Sequence, residues 1–270
     1  MRLNDYLSRI GAAPPVERSP DTLRRLHLAH REAFLFENIS IQTGGAIRLA
    51  LPDLERKFLD EGRGGYCFEH NTLFAAALRD VGFTPTIFLG RVRRGPPERW
   101  CRTHMVLRVD DLLADVGFGG LGLLEPIPLR DGATAEQGGI EYALHRDNGL
   151  WVLSMRPSTG SGRPERVEGR DAAATVDLYE FSDDPQTPWD VEVANHFTST
   201  HPESIFRKSL TIQRTRSAER TILRSDALTR YREGRLTEEP VARDRLAEVA
   251  RAEFGVELPN GPFVFEATPR

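Results

Sequence analysis

Ten consecutive residues decide the fold of this chain: Gly62-Arg63-Gly64-Gly65-Tyr66-Cys67-Phe68-Glu69-His70-Asn71. Three glycines precede the cysteine, and an apolar stripe at helical spacing follows it, with Gly82 placed to end the helix. The glycines predict unusual backbone angles and a close approach of a ligand. A cysteine at a helix N-terminus lies at the positive end of the helix dipole, which lowers the pKa of its thiol. The segment favours a nucleophilic Cys67, and a buried structural cysteine is the alternative.

A nucleophilic thiol needs a general base, and the base needs an orienting group. His104 lies in one predicted strand, and Asp115 lies in the next, just past a turn at Asp110-Asp111. A hairpin closed at that turn places residues 104 and 115 near its open end, where Asp115 can accept the ring N–H of His104. Taken singly, each of the two is typical of an ordinary strand residue. Together with Cys67 they predict a catalytic triad.

A metal site is the competing interpretation of the same residues. Cys67 and His70, and also Cys101 and His104, form pairs with the spacing of zinc ligands. Residues three apart in a strand point to opposite faces, so Cys101 and His104 are not expected to share a ligand. We expect His70, in the first helical turn, to face solvent. The sequence therefore predicts no metal centre.

Composition narrows the class of protein. The chain has 270 residues, of which 39% are hydrophobic and 28% charged, enough for a sizeable core and more than one folding unit. The net charge of -4 does not suggest a nucleic-acid binder. No run of 18 apolar residues and no signal-peptide pattern occurs, so no membrane attachment is expected. Since two cysteines exclude a disulfide framework, we expect a cytoplasmic enzyme.

The pattern of elements changes twice along the chain. The first third is helical, with one helix starting at Ser19-Pro20 and another over 51–60. The middle third predicts antiparallel strands, with Asp147-Asn148-Gly149 as a hairpin turn. Residues 158–170 are rich in glycine, serine and charge and predict an exposed loop. The last third mixes strands with a closing helix over 241–254, so the fold class is α+β.

The cysteine segment resembles the active-site motif of the arylamine N-acetyltransferase family over residues 63–69 and at Asn71. Four further segments are similar to that family in the same order: residues 35–39 (LFENI), 103–105 (THM), 115–120 (DVGFGG) and 192–202 (EVANHFTSTHP). The resemblance runs over nearly the whole chain. One departure is Leu35, where the family usually has proline, and it concerns packing or pocket shape.

The resemblance implies an N-terminal helical bundle over residues 1–84, a central antiparallel β-barrel over 85–190 and a C-terminal α/β lid over 191–270, with a cysteine-protease-like core. It places the catalytic roles on Cys67, His104 and Asp115. It implies acetyl-CoA as the acyl donor and an arylamine or arylhydrazine as the acceptor, in ping-pong chemistry through an acetyl-cysteine. A role in xenobiotic metabolism and a monomer or homodimer are the corresponding expectations.

Residues near the triad are candidates for binding the two substrates. The aromatic candidates for the acceptor pocket, each otherwise typical of ordinary core, are Phe36, Phe68, Phe118 and Phe197. The candidates for binding the cofactor are Thr103, Gly117, Gly119 and Gly120, and the exposed N–H groups of the three glycines could hold the CoA diphosphate. The backbone N–H of Cys67 and one near Thr103 or His104 are the candidate donors to the oxyanion. Two other reactions stay open: an amide synthase or acyltransferase using another acyl thioester, and a papain- or transglutaminase-like cysteine hydrolase.

Overall fold

The computed structural model describes residues 1–14, 16–157, 175–232 and 235–267, so the loop predicted over 158–170 lies outside the described residues. The helices are α1 (Leu3–Arg9), α2 (Pro20–Ala33), α3 (Ile39–Gln42), α4 (Leu51–Glu55), α5 (Cys67–Val81), α6 (Pro188–Thr200), α7 (Ile205–Lys208), α8 (Leu246–Val249) and α9 (Val264–Ala267). The strands are β1 (Phe36–Glu37), β2 (Thr86–Val92), β3 (Arg102–Val109), β4 (Leu112–Ala114), β5 (Ile127–Pro128), β6 (Ala133–Gln137), β7 (Ile140–Asp147), β8 (Leu150–Pro157), β9 (Val176–Phe181), β10 (Thr211–Thr215), β11 (Glu219–Arg224), β12 (Ala227–Arg232) and β13 (Arg235–Pro240). No described helix has the length and apolar character needed to cross a bilayer.

The helix boundaries follow local capping chemistry. Helix α2 begins where the Ser19 hydroxyl accepts the backbone N–H of Thr22, with Pro20 at its first position. Helix α5 ends at Gly82, whose φ of 99° is left-handed. The closing helix is shorter than the prediction of 241–254, because α8 starts only at Leu246 and then widens into a π-turn over Ala250–Phe254.

Eight antiparallel strands form the central sheet in the order β5-β4-β3-β2-β9-β8-β7-β6. Its edge strands β5 and β6 contact one another, so the sheet is a nearly closed barrel, as predicted. The β7–β8 hairpin turns at Asn148 and Gly149, whose φ values of 49° and 81° explain the choice of these residues. The α+β fold class is confirmed.

A second sheet joins an N-terminal strand, β1, to four strands of the last third of the chain. Its order is β1-β10-β11-β12-β13, and β1 pairs with β10 with Phe36 opposite Gln213. Side chains also cross the predicted boundaries, since Ile39 packs into the C-terminal core and Met105 of the barrel packs with the helices. Core clusters therefore contain residues from more than one of the segments 1–84, 85–190 and 191–270, and the division into three domains at these bounds stays a prediction.

Candidate active site

The glycine turn before Cys67 fits closely against the backbone of residues 35–37. A Cβ atom on Gly64 would lie 1.7 Å from the carbonyl oxygen of Leu35. The N–H of Gly65 donates to that same oxygen at 3.3 Å, and the carbonyl of Gly65 accepts the N–H of Glu37 at 2.7 Å. The close approach expected for a ligand is thus made by the protein's own chain, which fixes the position from which α5 starts.

Cys67 is the first residue of α5, and charged side chains hold this helix end in place. The Glu69 carboxylate accepts the backbone N–H of Tyr66 at 3.0 Å and pairs with the Lys57 ammonium at 2.7 Å. Tyr66 is the residue just before α5, and Lys57 lies in the preceding helical segment, Arg56–Asp60. Glu69 therefore links the start of α5 to both. The phenol of Tyr66 donates to the Asn195 side chain on α6, which ties the turn to the C-terminal part.

His104 and Asp115 meet in the interior as the hairpin prediction requires. His104 Nε2 lies 2.7 Å from Asp115 Oδ2, and both side chains are buried. Asp115 Oδ1 also accepts the backbone N–H of Gly117 at 2.9 Å and the Asn71 amide at 3.1 Å. Burial by itself would raise the pKa of Asp115, but the His104 ring and these donors outweigh it and lower the pKa to about 2. Asp115 is therefore a carboxylate that fixes His104 with Nε2 protonated, leaving Nδ1 as the acceptor.

Cys67 lies beside this pair. Its Sγ donates to the carbonyl of Thr103, the residue before His104, at 3.6 Å. A Cβ on Gly117 would lie 2.9 Å from Cys67 Cα, so the residues after Asp115 pack directly on the cysteine. Burial raises the pKa of the Cys67 thiol, and the Asp115 charge adds to this. The pKa of the thiol is therefore shifted in the direction opposite to the expected lowering, and burial is the largest cause.

The sequence and the fold are similar to those of known proteins. A family model described as N-acetyltransferase matches residues 20–263. An arylamine N-acetyltransferase / N-hydroxyarylamine O-acetyltransferase of Salmonella typhimurium is 33% identical, with 94% of this chain and 88% of that protein covered. The chain belongs to the arylamine N-acetyltransferase family.

Solved structures of the family superpose closely. The arylamine N-acetyltransferase of Nocardia farcinica gives a TM-score of 0.85 at 36% identity, covering 99% of this chain and 93% of that one. The enzyme of Mycobacterium marinum, solved in complex with CoA, gives a TM-score of 0.83 at 30% identity, covering 94% of this chain and 92% of that one. The triad assignment made from the family motif therefore lies in a fold that matches its relatives.

His27 and Asn71, to which the sequence analysis gave no role, make hydrogen bonds with Asp115. His27 on α2 accepts the backbone N–H of Asp115 at Nε2, 3.0 Å away, and lies 2.7 Å from the Leu124 carbonyl through Nδ1. Burial lowers the pKa of His27 to about 4, so it is neutral and can act as this acceptor. Asn71, quoted in the motif without a role, joins the Asp115 carboxylate to the Met105 carbonyl.

The four predicted pocket aromatics occupy different environments. Phe118 packs edge-on against His104, with ring centroids 5.2 Å apart, and it is half-buried. Phe36 stacks parallel to His70, and Phe68 is fully buried against Tyr66. Phe197 is 37% exposed and stacks on His201. The structure thus places Phe118 in contact with His104 and Phe68 in the core. Sequence reasoning also missed Tyr179, whose ring centroid lies 4.9 Å from that of His104.

Two of the predicted diphosphate amides are already engaged. Gly117 donates its N–H to Asp115, and Gly120 donates its N–H to the Gln213 side chain. Thr103 likewise donates its N–H to the Cys101 carbonyl, at 2.8 Å. These three N–H groups therefore have partners within the chain, and the assignment of Thr103, Gly117, Gly119 and Gly120 to cofactor binding stays a prediction.

His70 is buried, so the prediction that it faces solvent is wrong. Its Nδ1 lies 2.9 Å from His30 Nε2, and its Nε2 lies 3.1 Å from the Leu35 carbonyl. Cys67 is buried and Cys101 exposed. Among the residues with described positions, no three His, Cys, Asp or Glu side chains cluster in a way that would hold a metal ion.

Proposed function

We propose that this chain transfers the acetyl group of acetyl-CoA to the nitrogen of an arylamine or arylhydrazine through an acetyl group on Cys67. The observation that carries the proposal is the buried His104–Asp115 pair beside a cysteine at the start of α5. Membership of the family and the CoA-bound relative support acetyl-CoA as the donor.

The first half-reaction begins from a neutral thiol, because burial raises the pKa of Cys67. His104 Nδ1 takes the thiol proton as Sγ attacks the thioester carbonyl. The tetrahedral intermediate collapses by breaking the carbon–sulfur bond to CoA, and His104 returns the proton to the leaving thiolate. Asp115 stays ionised throughout and stabilises the imidazolium.

The second half-reaction reverses these roles. The amine nitrogen attacks the acetyl carbonyl, and His104 accepts a proton from it. Collapse then breaks the bond to Cys67 Sγ, which leaves as the thiol after taking the proton from His104. The acetylated amine and the original thiol are the products, and the overall kinetics are ping-pong.

The oxyanion formed in both halves needs a hydrogen-bond donor. The backbone N–H of Cys67 is at the first position of α5, where a helix provides no acceptor of its own. We propose this N–H as the donor, since the N–H of Thr103 is used by Cys101.

The acceptor is proposed to lie against Phe118, the half-buried aromatic residue next to His104. Exclusion of water there favours amine attack over hydrolysis of the acetyl-cysteine. Because the reaction requires a free Cys67 thiol, we infer that the chain works where thiols stay reduced, as in the cytoplasm. From its family we also infer that foreign aromatic amines are among its acceptors.

Intact mass spectrometry after incubation with acetyl-CoA tests the proposal. The chain has only two cysteines, so Cys101→Ala provides a matched control for Cys67→Ala. We expect one acetyl adduct on the unmodified chain and on Cys101→Ala, and none on Cys67→Ala. An adduct from a longer acyl thioester but not from acetyl-CoA would instead indicate an amide synthase. Peptide cleavage without dependence on CoA would indicate a hydrolase.

A further inference from the structure

Two arginines are buried where the barrel meets α2 and the second sheet. Arg31 on α2 is 4% exposed, and Arg220 on β11 is fully buried. Neither has a carboxylate within salt-bridge distance among the described residues. Buried charges are normally paired, because removing a charge from water costs free energy that an ion pair offsets.

The two guanidinium groups belong to one site. The Arg31 Nη2 atom lies 3.2 Å from the Thr215 hydroxyl, and Thr215 is the register partner of Arg220 on the adjacent strand. The positive charge of Arg220 acts on Arg31 and, after burial, is the main cause that lowers the Arg31 pKa to about 10. The Arg31 guanidinium therefore stays cationic at neutral pH and is repelled by the guanidinium of Arg220.

Three buried nitrogen atoms of the two guanidinium groups have no hydrogen-bond partner among the described residues. Arg220 gives one N–H to the Gly138 carbonyl at 3.4 Å and lies beside the Tyr142 hydroxyl, which itself donates to the Leu121 carbonyl. Its Nε and Nη2 atoms are buried and make no hydrogen bond of good geometry with a described residue. Those two atoms form one edge of the guanidinium, the edge that binds an anion in bidentate fashion. The Nε atom of Arg31 is likewise buried without a partner.

Asp115 does not neutralise the pair directly. Its charge raises the pKa of Arg31, but its two carboxylate oxygens are used by His104, Asn71 and Gly117. The ring of Tyr231, opposite Arg220 on β12, contributes only its π face. Water can accept hydrogen bonds here but cannot balance two cations.

We propose that Arg31 and Arg220 enclose a small monovalent inorganic anion of halide size, held by the Nε and Nη2 donors of Arg220 and the Nε donor of Arg31. The same Arg31 group also contacts the carbonyls of Gly119 and Gly120 at 3.3 and 3.4 Å, so the ion stabilises the loop that follows Asp115. This site is separate from the acetyl-transfer chemistry and does not depend on it.

Thermal unfolding at constant ionic strength tests the proposal, with chloride or bromide replacing gluconate. We expect Tm to rise with halide by about 3 °C for each tenfold increase above the dissociation constant. Arg220→Met should abolish this rise. Arg232→Met, which removes an exposed arginine paired with Glu219, should retain it. A wild-type Tm that does not respond to halide, or an unchanged response in Arg220→Met, would overturn the site.

Crystals of the unmodified chain grown in bromide provide a second measurement that needs no variant to fold. We expect an anomalous peak within hydrogen-bond distance of Arg220 Nε. Density of a water molecule there, without anomalous signal, overturns the proposal.

Discussion

Asp115 is the residue on which the site converges, because its side chain and its backbone N–H both have fixed partners. Asp115→Asn keeps the size of the side chain but removes the charge that stabilises the His104 imidazolium. We expect the rate of Cys67 acetylation to fall by about 10⁴-fold, the loss that this change causes in a serine-protease triad. Single-turnover mixing with acetyl-CoA measures it. A loss below tenfold would show that Asp115 has no part in catalysis.

In the proposed mechanism, His104 is the base that accepts the proton of the neutral Cys67 thiol. In a Cys101→Ala background, which removes the exposed cysteine, we expect His104→Ala to slow alkylation of Cys67 by iodoacetamide at pH 7 by about 100-fold. The reason is that the raised pKa of Cys67 leaves almost no thiolate without a proton acceptor. Equal alkylation rates in the two proteins would mean that the residues are not paired.

The sequence predicts the proposed catalytic residues, but it does not predict the residues that hold them in place. Cys67 follows from the glycines and the helix start, and the pairing of His104 with Asp115 follows from one short hairpin. His27 bonds to the Asp115 backbone across 88 residues, and no local pattern indicates that contact. The direction of the Cys67 pKa shift was mispredicted for the same reason, since burial depends on the complete fold.

The glycine turn shows how an element is positioned by close packing. Gly64→Ala would place a Cβ atom 1.7 Å from the Leu35 carbonyl, so we expect loss of the folded state or of the α5 start. Gly62→Ala is the matched control, because its Cβ meets only Arg9 at 3.9 Å and its cost is the left-handed φ of 64°, about 1 kcal/mol. Urea unfolding of both variants measures the difference. Equal stabilities would contradict this role of the turn.

Helices and hairpins that contain their own capping or turn residues could be predicted from the sequence. Elements that depend on pairing with a distant part of the chain could not. Helix α2 and the β7–β8 hairpin carry capping and turn residues that act within a few positions. Strand β1 has two residues, and its partners are β10, far along the chain, and Gly65 in the glycine turn. The role of residues 35–37 as a link between the chain ends was therefore not predictable.

The whole molecule buries three neutral histidines, His27, His30 and His70. Burial lowers the pKa of His27 to about 4 and of His70 to about 3, and it also lowers that of His30, all from 6.5. The unfolded chain binds protons on these rings below pH 6.5 and the folded chain does not. The contribution of these histidines to the free energy of unfolding is therefore present above pH 6.5. It is lost as the pH falls towards 4, at about 1.4 kcal/mol per pH unit for each histidine.

Urea unfolding between pH 7 and pH 4.5 checks this dependence. We expect His27→Phe, which keeps a ring against Phe74, to reduce the slope by about one third. A free energy of unfolding that does not change over this range would contradict the neutral histidine core.

Cys67 is proposed to carry the acetyl group from the first half-reaction, with acetyl-CoA, to the second, with the amine. The most direct test is to react the chain with acetyl-CoA, remove all CoA by rapid desalting and then add an arylamine. We predict that the acetyl adduct disappears and that one equivalent of N-acetylated amine forms per acetylated chain. Product that forms only while acetyl-CoA is present, from a chain that never carries the acetyl group, would contradict it.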